Sequence, residues 1–358
     1  MSNGALKLLA ASGAKTVAAD LAVVPFEDSG GGVHTIDISD PTNMSILATL
    51  ASSAAMTKPF GAKLDITNGR AFICCEDDSI AVIDVSNPSS PSITGALAQQ
   101  DGLKYLDIDP TRDVAYGSVF SNPGGIIAYD VSDPTSPSET GDELSTAYRS
   151  SMGIANHRGI DHCFSVDHTA MYCWRVTTGN PAHVSTLSSA SLSNAGAIKL
   201  DESNNIAFVA ANGGIVSVNI ANTSSMAILD TAAGTSSGDN YDIAIDLEAG
   251  IAFVTIAQYN QYGLMCFDIS NPSSISLLDT LKDNTNLIGA RGVAYDPGAK
   301  VAYVSCGQGA GANSKFTAVS ASNTSSLSVL GSVGTSNAPA RAAINTTPRE
   351  ATNAEETS

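Results

Sequence analysis

Apolar and polar residues alternate along most of the chain in short runs, and the runs recur. The phrase Val33-His34-Thr35-Ile36-Asp37-Ile38-Ser39-Asp40-Pro41 returns as Ala81-Val82-Ile83-Asp84-Val85-Ser86-Asn87-Pro88 and as Ile127-Ala128-Tyr129-Asp130-Val131-Ser132-Asp133-Pro134. It returns again as Met265-Cys266-Phe267-Asp268-Ile269-Ser270-Asn271-Pro272, and weaker copies centre on Arg175, Asn219 and Ser320. The central positions 37, 84, 130, 175, 219, 268 and 320 lie 44 to 52 residues apart. That period falls among propeller blades and well above leucine-rich repeats.

A second phrase precedes each copy. An Asp stands seven residues before an aromatic in Asp65/Phe72, Asp109/Tyr116, Asp201/Phe208, Asp246/Phe253 and Asp296/Tyr303, with Ala just ahead of the aromatic each time. Alternation on both sides reads as two strands joined by a tight turn, in which Asp bonds the backbone two residues on. The Ile-Asp-Val-Ser phrase is a third strand, closed by an Asn/Asp-Pro turn. A Ser/Thr-rich fourth strand ends at Leu50, Leu97, Leu144, Leu187, Ala232, Leu281 or Val333. The pattern predicts an all-β chain, a seven-bladed β-propeller of four-stranded blades spanning residues 15–346.

Blade one has a second strand at Leu21-Ala22-Val23-Val24-Pro25 but no first strand ahead of it. The C-terminus supplies one, because Ala340-Arg341-Ala342-Ala343-Ile344-Asn345 resembles Arg291-Gly292-Val293-Ala294-Tyr295-Asp296. A C-terminal strand completing the N-terminal blade would remove the edges that a linear array exposes. Residues 1–14 and 347–358 fall outside the columns and read as an N-terminal arm and a C-terminal acidic tail. The arm's Leu6, Leu8 and Leu9 are its candidate docking contacts. Ser12 and Gly13 interrupt Leu8-Leu9-Ala10-Ala11 too early for a secretory core, so synthesis in the cytoplasm is expected, with the final compartment open.

At this point a resemblance can be named. Leu21-Ala22-Val23-Val24-Pro25 and the Ile-Asp-Val-Ser-Asn-Pro phrases resemble the LVIVP repeat family of bacterial and archaeal proteins. The Asp-Pro-x-x-x-x-Ala-Tyr-Val phrase resembles surface propellers of the YVTN type. The resemblance implies a propeller, often displayed at a surface and usually without an assigned reaction; its motifs are structural turns.

Composition narrows the partners. The chain has 17 basic and 35 acidic residues, a net charge of −18, and no Lys/Arg cluster to displace counterions from a phosphate backbone, so nucleic acid is excluded as a partner. No apolar run is long enough to span a bilayer. The six cysteines form no Cys-x-x-Cys; Cys163 takes a small Ala's slot, Cys75 and Cys306 share one column, and Cys173 and Cys266 share another. Reduced, buried thiols are expected. Blade four gathers His157, His162, His168 and His183 beside Asp161 and Asp167. A metal site there is one reading and drift within repeat columns the other, the columns favouring drift. Glu76-Asp77-Asp78 lacks the spacing of a Ca²⁺ loop. No Gly-x-Ser-x-Gly elbow is present. No catalytic residue, metal or cofactor is therefore assigned.

Loop lengths separate the two faces. First-to-second and third-to-fourth strand intervals hardly change, which marks a regular face. Second-to-third strand loops vary, from eleven residues between positions 208 and 219 to seventeen between 303 and 320. Variable loops on a rigid scaffold commonly bind partners. Phe120 and Asn122 in blade three, Tyr259, Asn260 and Tyr262 in blade six, and Gln308 and Asn313 in blade seven are the candidate binding residues. The leading expectation is a non-catalytic interaction scaffold, a structural subunit of a virus particle or surface assembly with protein partners. A surface adhesion or glycan-binding propeller is the alternative, and an enzyme with its site in the central channel the second.

Overall fold

The computed structural model describes residues 16–27, 31–51, 53–76, 79–98, 102–148, 153–177, 180–234, 242–257, 262–307, 314–335 and 338–346. They form seven four-stranded antiparallel sheets, the blades of a closed propeller. Blade two shows the plan: Pro59–Asp65 is innermost, followed outward by Arg70–Cys75, Ser79–Asp84 and Ser92–Ala98. The second strand is buried along its whole length, because each face packs on a neighbouring blade. Fourth strands alternate between exposed and half-buried residues, as in Ser45–Ala51 and Ser328–Gly334, since their outer face meets water.

The recurring Asp columns are turn devices. Asp109 Oδ1 accepts the Thr111 N–H at 3.1 Å, and Asp65, Asp201, Asp246 and Asp296 cap the same turn through neighbouring N–H groups. The third-strand Asp works identically: Asp37, Asp84, Asp130 and Asp268 each accept the N–H two residues on at 2.9–3.0 Å. The following turn depends on its Asn or Asp and not on the Pro. Asn222 and Asn323, each followed by Thr, bond Ser224 and Ser325 as Asn87 bonds Ser89.

Neighbouring blades interlock at one column of the fourth strand, beside a bulge. In blades two and seven the column holds Gly95 and Gly331, where an added Cβ would lie 2.4 Å from Pro134 O and 2.7 Å from Thr42 O of the next blade's turn. In blades five and six it holds Asp230 and Asp279, whose carboxylates accept the N–H of Ile275 and Leu327 across the gap, each at 2.7 Å.

The ring closes as the columns predict. Ala343–Asn345 pairs antiparallel with Leu21–Val23, Pro339 bridges Phe26, and Ala340 donates its N–H to Pro25 O at 2.8 Å. Asn345 Nδ2 reaches the carbonyls of Val17 and Ala18. Between these contacts the strand leaves blade one. Arg341 bridges to Gly61 of blade two, its N–H donating to Phe60 O and its carbonyl accepting from Ala62. The arm residues Leu6, Leu8 and Leu9 and the acidic tail lie outside the described residues.

Candidate functional site

Seven innermost strands line the channel, and each ends at a turn residue: Asp65, Asp109, His157, Asp201, Asp246, Asp296 and Asn345. Side chains alternate along a strand, so residues two and four places before that turn share a face. Four places back stand Gly61, Tyr105, Gly153, Ala197, Asp242, Gly292 and Arg341; two places back stand Lys63, Asp107, Ala155, Lys199, Ala244, Ala294 and Ala343. Ring closure gathers the charged members of these two columns.

Arg341 spans the channel. Its guanidinium carbon lies 3.6 Å from the Tyr105 ring centroid, its Nη2 donates to Gly196 O at 2.7 Å, and its Nη1 is 3.4 Å from Asp242 Oδ1. Asp242 is fixed further by the N–H groups of Ile243 and Val293, both at 3.0 Å. In the second column Lys63 Nζ pairs with Asp107 Oδ1 at 3.0 Å, and Asp107 Oδ2 accepts the Asn156 N–H at 2.9 Å. Burial would raise the Asp107 pKa, but Lys63, the Asn156 N–H and Lys199 outweigh it and hold the carboxyl below its ordinary range. Lys199 has no ion pair among the described residues. Repulsion from Lys63, with burial second, lowers its pKa to about 8.

These groups surround a cavity of about 320 Å³, whose wall includes Lys63, Tyr105, Lys199, Asp242, Tyr295 and Arg341. Every lining residue lies one to four places before a turn residue. The cavity therefore occupies the half of the channel nearer the constant turns, and Arg341 closes it towards the variable loops. Tyr295, pushed up to about 12 mainly by burial, is a neutral hydroxyl on this wall at neutral pH.

Of the residues singled out on the variable face, the three described ones, Phe120, Asn122 and Tyr262, do not line this cavity. Phe120 lies under Lys104 Nζ, 3.8 Å from the ring centroid, and that Lys also pairs with Glu76 at 2.7 Å. Asn122 is exposed and precedes a cis Pro123. Tyr262 is buried, with 4% of its surface exposed, and belongs to the core. Tyr259, Asn260, Gln308 and Asn313 lie outside the described residues.

His157 and His162 of blade four are cross-strand partners, yet each of the described bonds takes its imidazole to a different group. His157 faces Asn205, His162 bonds the Ile160 carbonyl, and His183 meets Thr186 and packs against Tyr148 and Trp174. No group of three metal-ligating side chains occurs among the described residues. The six cysteines are buried and joined in no disulfide, and burial pushes Cys173 and Cys266 up to about 12. No helix among the described residues is long and apolar enough to cross a membrane.

Comparison with known proteins agrees with the fold. The family model described as LVIVD repeat matches residues 28–50, 64–98 and 252–283, in blades one, two and six. The chain is a seven-bladed β-propeller carrying LVIVD repeats. The matches cover the third and fourth strands of all three blades, take in the second strand of blades two and six as well, and leave out Leu21–Pro25. No curated protein sequence matches the chain. Among solved structures, a functionally unknown protein from Desulfotomaculum acetoxidans is 14% identical, with 92% of this chain and 99% of that one covered and a TM-score of 0.73. The periplasmic gluconolactonase of Pseudomonas aeruginosa is 11% identical, with coverage of 90% and 98% and a TM-score of 0.73. A Bacteroides uniformis protein given the provisional name 6-phosphogluconolactonase is 10% identical, with coverage of 90% and 99% and a TM-score of 0.72.

These likenesses establish the shared fold. They also correct the expectation of a non-catalytic scaffold in a virus particle or surface assembly: propellers of this shape include named lactonases. That expectation rested on the lack of a linear catalytic motif. The channel's polar groups come from different blades, so they make no linear motif to find.

Proposed function

We propose that this propeller is an enzyme that takes a small molecule into its central cavity and hydrolyses it, with lactones of polyhydroxylated acids as the substrate class. The observation that carries the reading is the convergence of Tyr105, Lys199, Asp242 and Arg341 on one cavity of about 320 Å³. That volume suits a molecule of sugar size, and a few convergent polar groups among apolar walls are what a small-molecule site requires. The lactonase names among propellers of the same fold support the reaction class.

Opening a lactone requires a base for the attacking water, positive charge where the carbonyl oxygen becomes an oxyanion, and a proton, returned by that base, for the ring oxygen as its bond to the acyl carbon breaks. Asp242 is the carboxylate of the cavity wall and has the geometry of the base, held in place by two backbone N–H groups. Arg341, 3.4 Å from it, supplies the charge for the oxyanion. Proton release from gluconolactone and related lactones, followed with a pH indicator, tests the reading. Turnover well above the spontaneous rate is expected, reduced about 10²–10⁴-fold in Asp242→Asn with melting behaviour retained. Turnover that Asp242→Asn leaves unchanged would move the chemistry elsewhere, and no turnover of any lactone would end the proposal.

A further inference from the structure

We infer that Lys63 and Lys199 form an anion subsite in the central cavity, which holds a carboxylate or phosphate group on the small molecule bound there. The inference rests on reading the cavity as a small-molecule site and adds what that molecule must carry.

Three cations, Lys63, Lys199 and Arg341, face two carboxylates, Asp107 and Asp242. Asp242 is engaged by Arg341 and by two backbone N–H groups, and Asp107 by Lys63 and the Asn156 N–H. Lys199 is left over. It is half-buried, lines the cavity, and has no ion pair within 4.0 Å among the described residues. Asp107 does not line the cavity, whereas Lys63 does, so Lys63 keeps donor capacity on the cavity side.

A partly desolvated ammonium beside a second one is unfavourable unless an anion joins them. The groups acting on Lys199 from the surrounding elements are Lys63 of blade two, Asp107 of blade three, Asp242 ahead of the blade-six inner strand, and Arg341 of the closing strand. Lys63, burial and Arg341 push its proton off and the two carboxylates hold it on, giving a pKa of about 8. Near pH 7 the site is cationic, and above pH 8 it loses half its lysine charge. The empty site's repulsion between Lys63 and Lys199 becomes a shared attraction once a carboxylate or phosphate lies between them. Both groups present several acceptor oxygens and suit two ammonium donors equally.

Calorimetric titration of the full chain at low ionic strength tests this, using inorganic phosphate, gluconate and neutral glucose as probes. Saturable one-to-one binding of phosphate, gluconate or both is expected, with glucose weaker; the stronger anion identifies the group. Lys199→Met should weaken it about tenfold to a hundredfold, the usual worth of a hydrogen bond to a charged group. Lys63→Gln, which leaves Lys199 in place, should weaken it less. Gluconate is ionised throughout, so its affinity should fall about tenfold between pH 7 and pH 9 as Lys199 deprotonates. Absence of saturable binding for both anions overturns the subsite. So does binding that both variants leave unchanged, which would mean an adventitious ion only. If neutral lactones are still turned over in an Asp242-dependent way while the anions fail to bind, the subsite alone falls. If lactones and anions both fail, the cavity reading falls with it.

Discussion

Replacing Arg341 by Met should cost this propeller about 3 kcal/mol, because ring closure and the cavity meet at that one side chain. The substitution keeps most of the stem and removes the guanidinium. Lost with it are the 2.7 Å bond to Gly196 O, the 3.4 Å pairing with Asp242 and the stack 3.6 Å over Tyr105. A hydrogen bond from a charged group contributes about 1.5–3 kcal/mol, and a partly desolvated cation–π contact about 1–2 kcal/mol. Asp242 keeps two backbone N–H partners, so it escapes the roughly 3–5 kcal/mol penalty of a carboxylate stranded without a partner. Relief of guanidinium desolvation acts in the opposite sense and holds the net loss near the lower sum. Unfolding entropy of about 2.1 cal/mol/K per residue, over the 358-residue chain, converts that loss into a fall in Tm of about 4 °C. Differential scanning calorimetry at pH 7 and low salt measures it. Arg341→Lys retains the charge without the planar fork or the stack and should recover about half. A Tm within a degree of the parent for Arg341→Met, or full recovery by Lys, would refute the assignment of Arg341 as the strut across the channel.

Two further predictions concern stability. His34 is buried against Phe26, with Nδ1 2.9 Å from Thr49 Oγ1, and burial lowers its pKa to about 4. The unfolded chain therefore takes up the proton first as the pH falls, so stability should drop by about 3 kcal/mol between pH 6.5 and pH 4. Asp65, Asp201 and Asp268 lie below the ordinary carboxylate range and add their losses only at more acidic pH. Urea melts at pH 7, 5 and 4 should show that His34→Gln flattens the upper window; an unchanged slope would exclude His34 as its source. Asp279→Ala removes the acceptor for the buried Leu327 N–H and should cost about 1–3 kcal/mol, with Asp279→Asn recovering part through its amide oxygen. Thermal melts check it, and an unchanged Tm in Asp279→Ala would remove the carboxylate from the blade-to-blade fastening.

Much of the fold was legible because the turns recur with their chemistry intact. Asp37, Asp84, Asp130 and Asp268 mark the ends of third strands because a carboxylate there accepts an N–H two residues later. Blade four is the weak copy for a physical reason. Arg175 stands where the others have a turn acceptor, and the blade instead packs Trp174 against Tyr148, with ring centroids 4.8 Å apart, and against His183 at 5.5 Å. The detour of Arg341 to blade two was not legible. Strand alternation runs unbroken through Ala340–Asn345, and only the neighbouring backbone at Phe60 and Ala62 draws the chain aside.

The cavity was hidden for a different reason: its residues span positions 61 to 344, and no local motif connects them. The usable signal was composition within a column. Four places before the turn, four blades hold Gly or Ala: Gly61, Gly153, Ala197 and Gly292. Three hold large polar side chains: Tyr105, Asp242 and Arg341. The two sets depend on each other, since seven inner strands leave little room on the axis. A Cβ at Gly292 would stand 2.9 Å from the Arg341 Cα, and one at Gly153 would stand 2.9 Å from the Ala197 Cα. The small residues let the backbone approach closely, and the large ones fill what remains with charge. Variation in loop length drew attention to the opposite face, where surface loops tolerate insertions. In a closed ring of repeats, departures from a column's ordinary residue locate the chemistry more directly than loop length does. Under the proposed lactone-opening reading, they would place it between Arg341 and the constant turns.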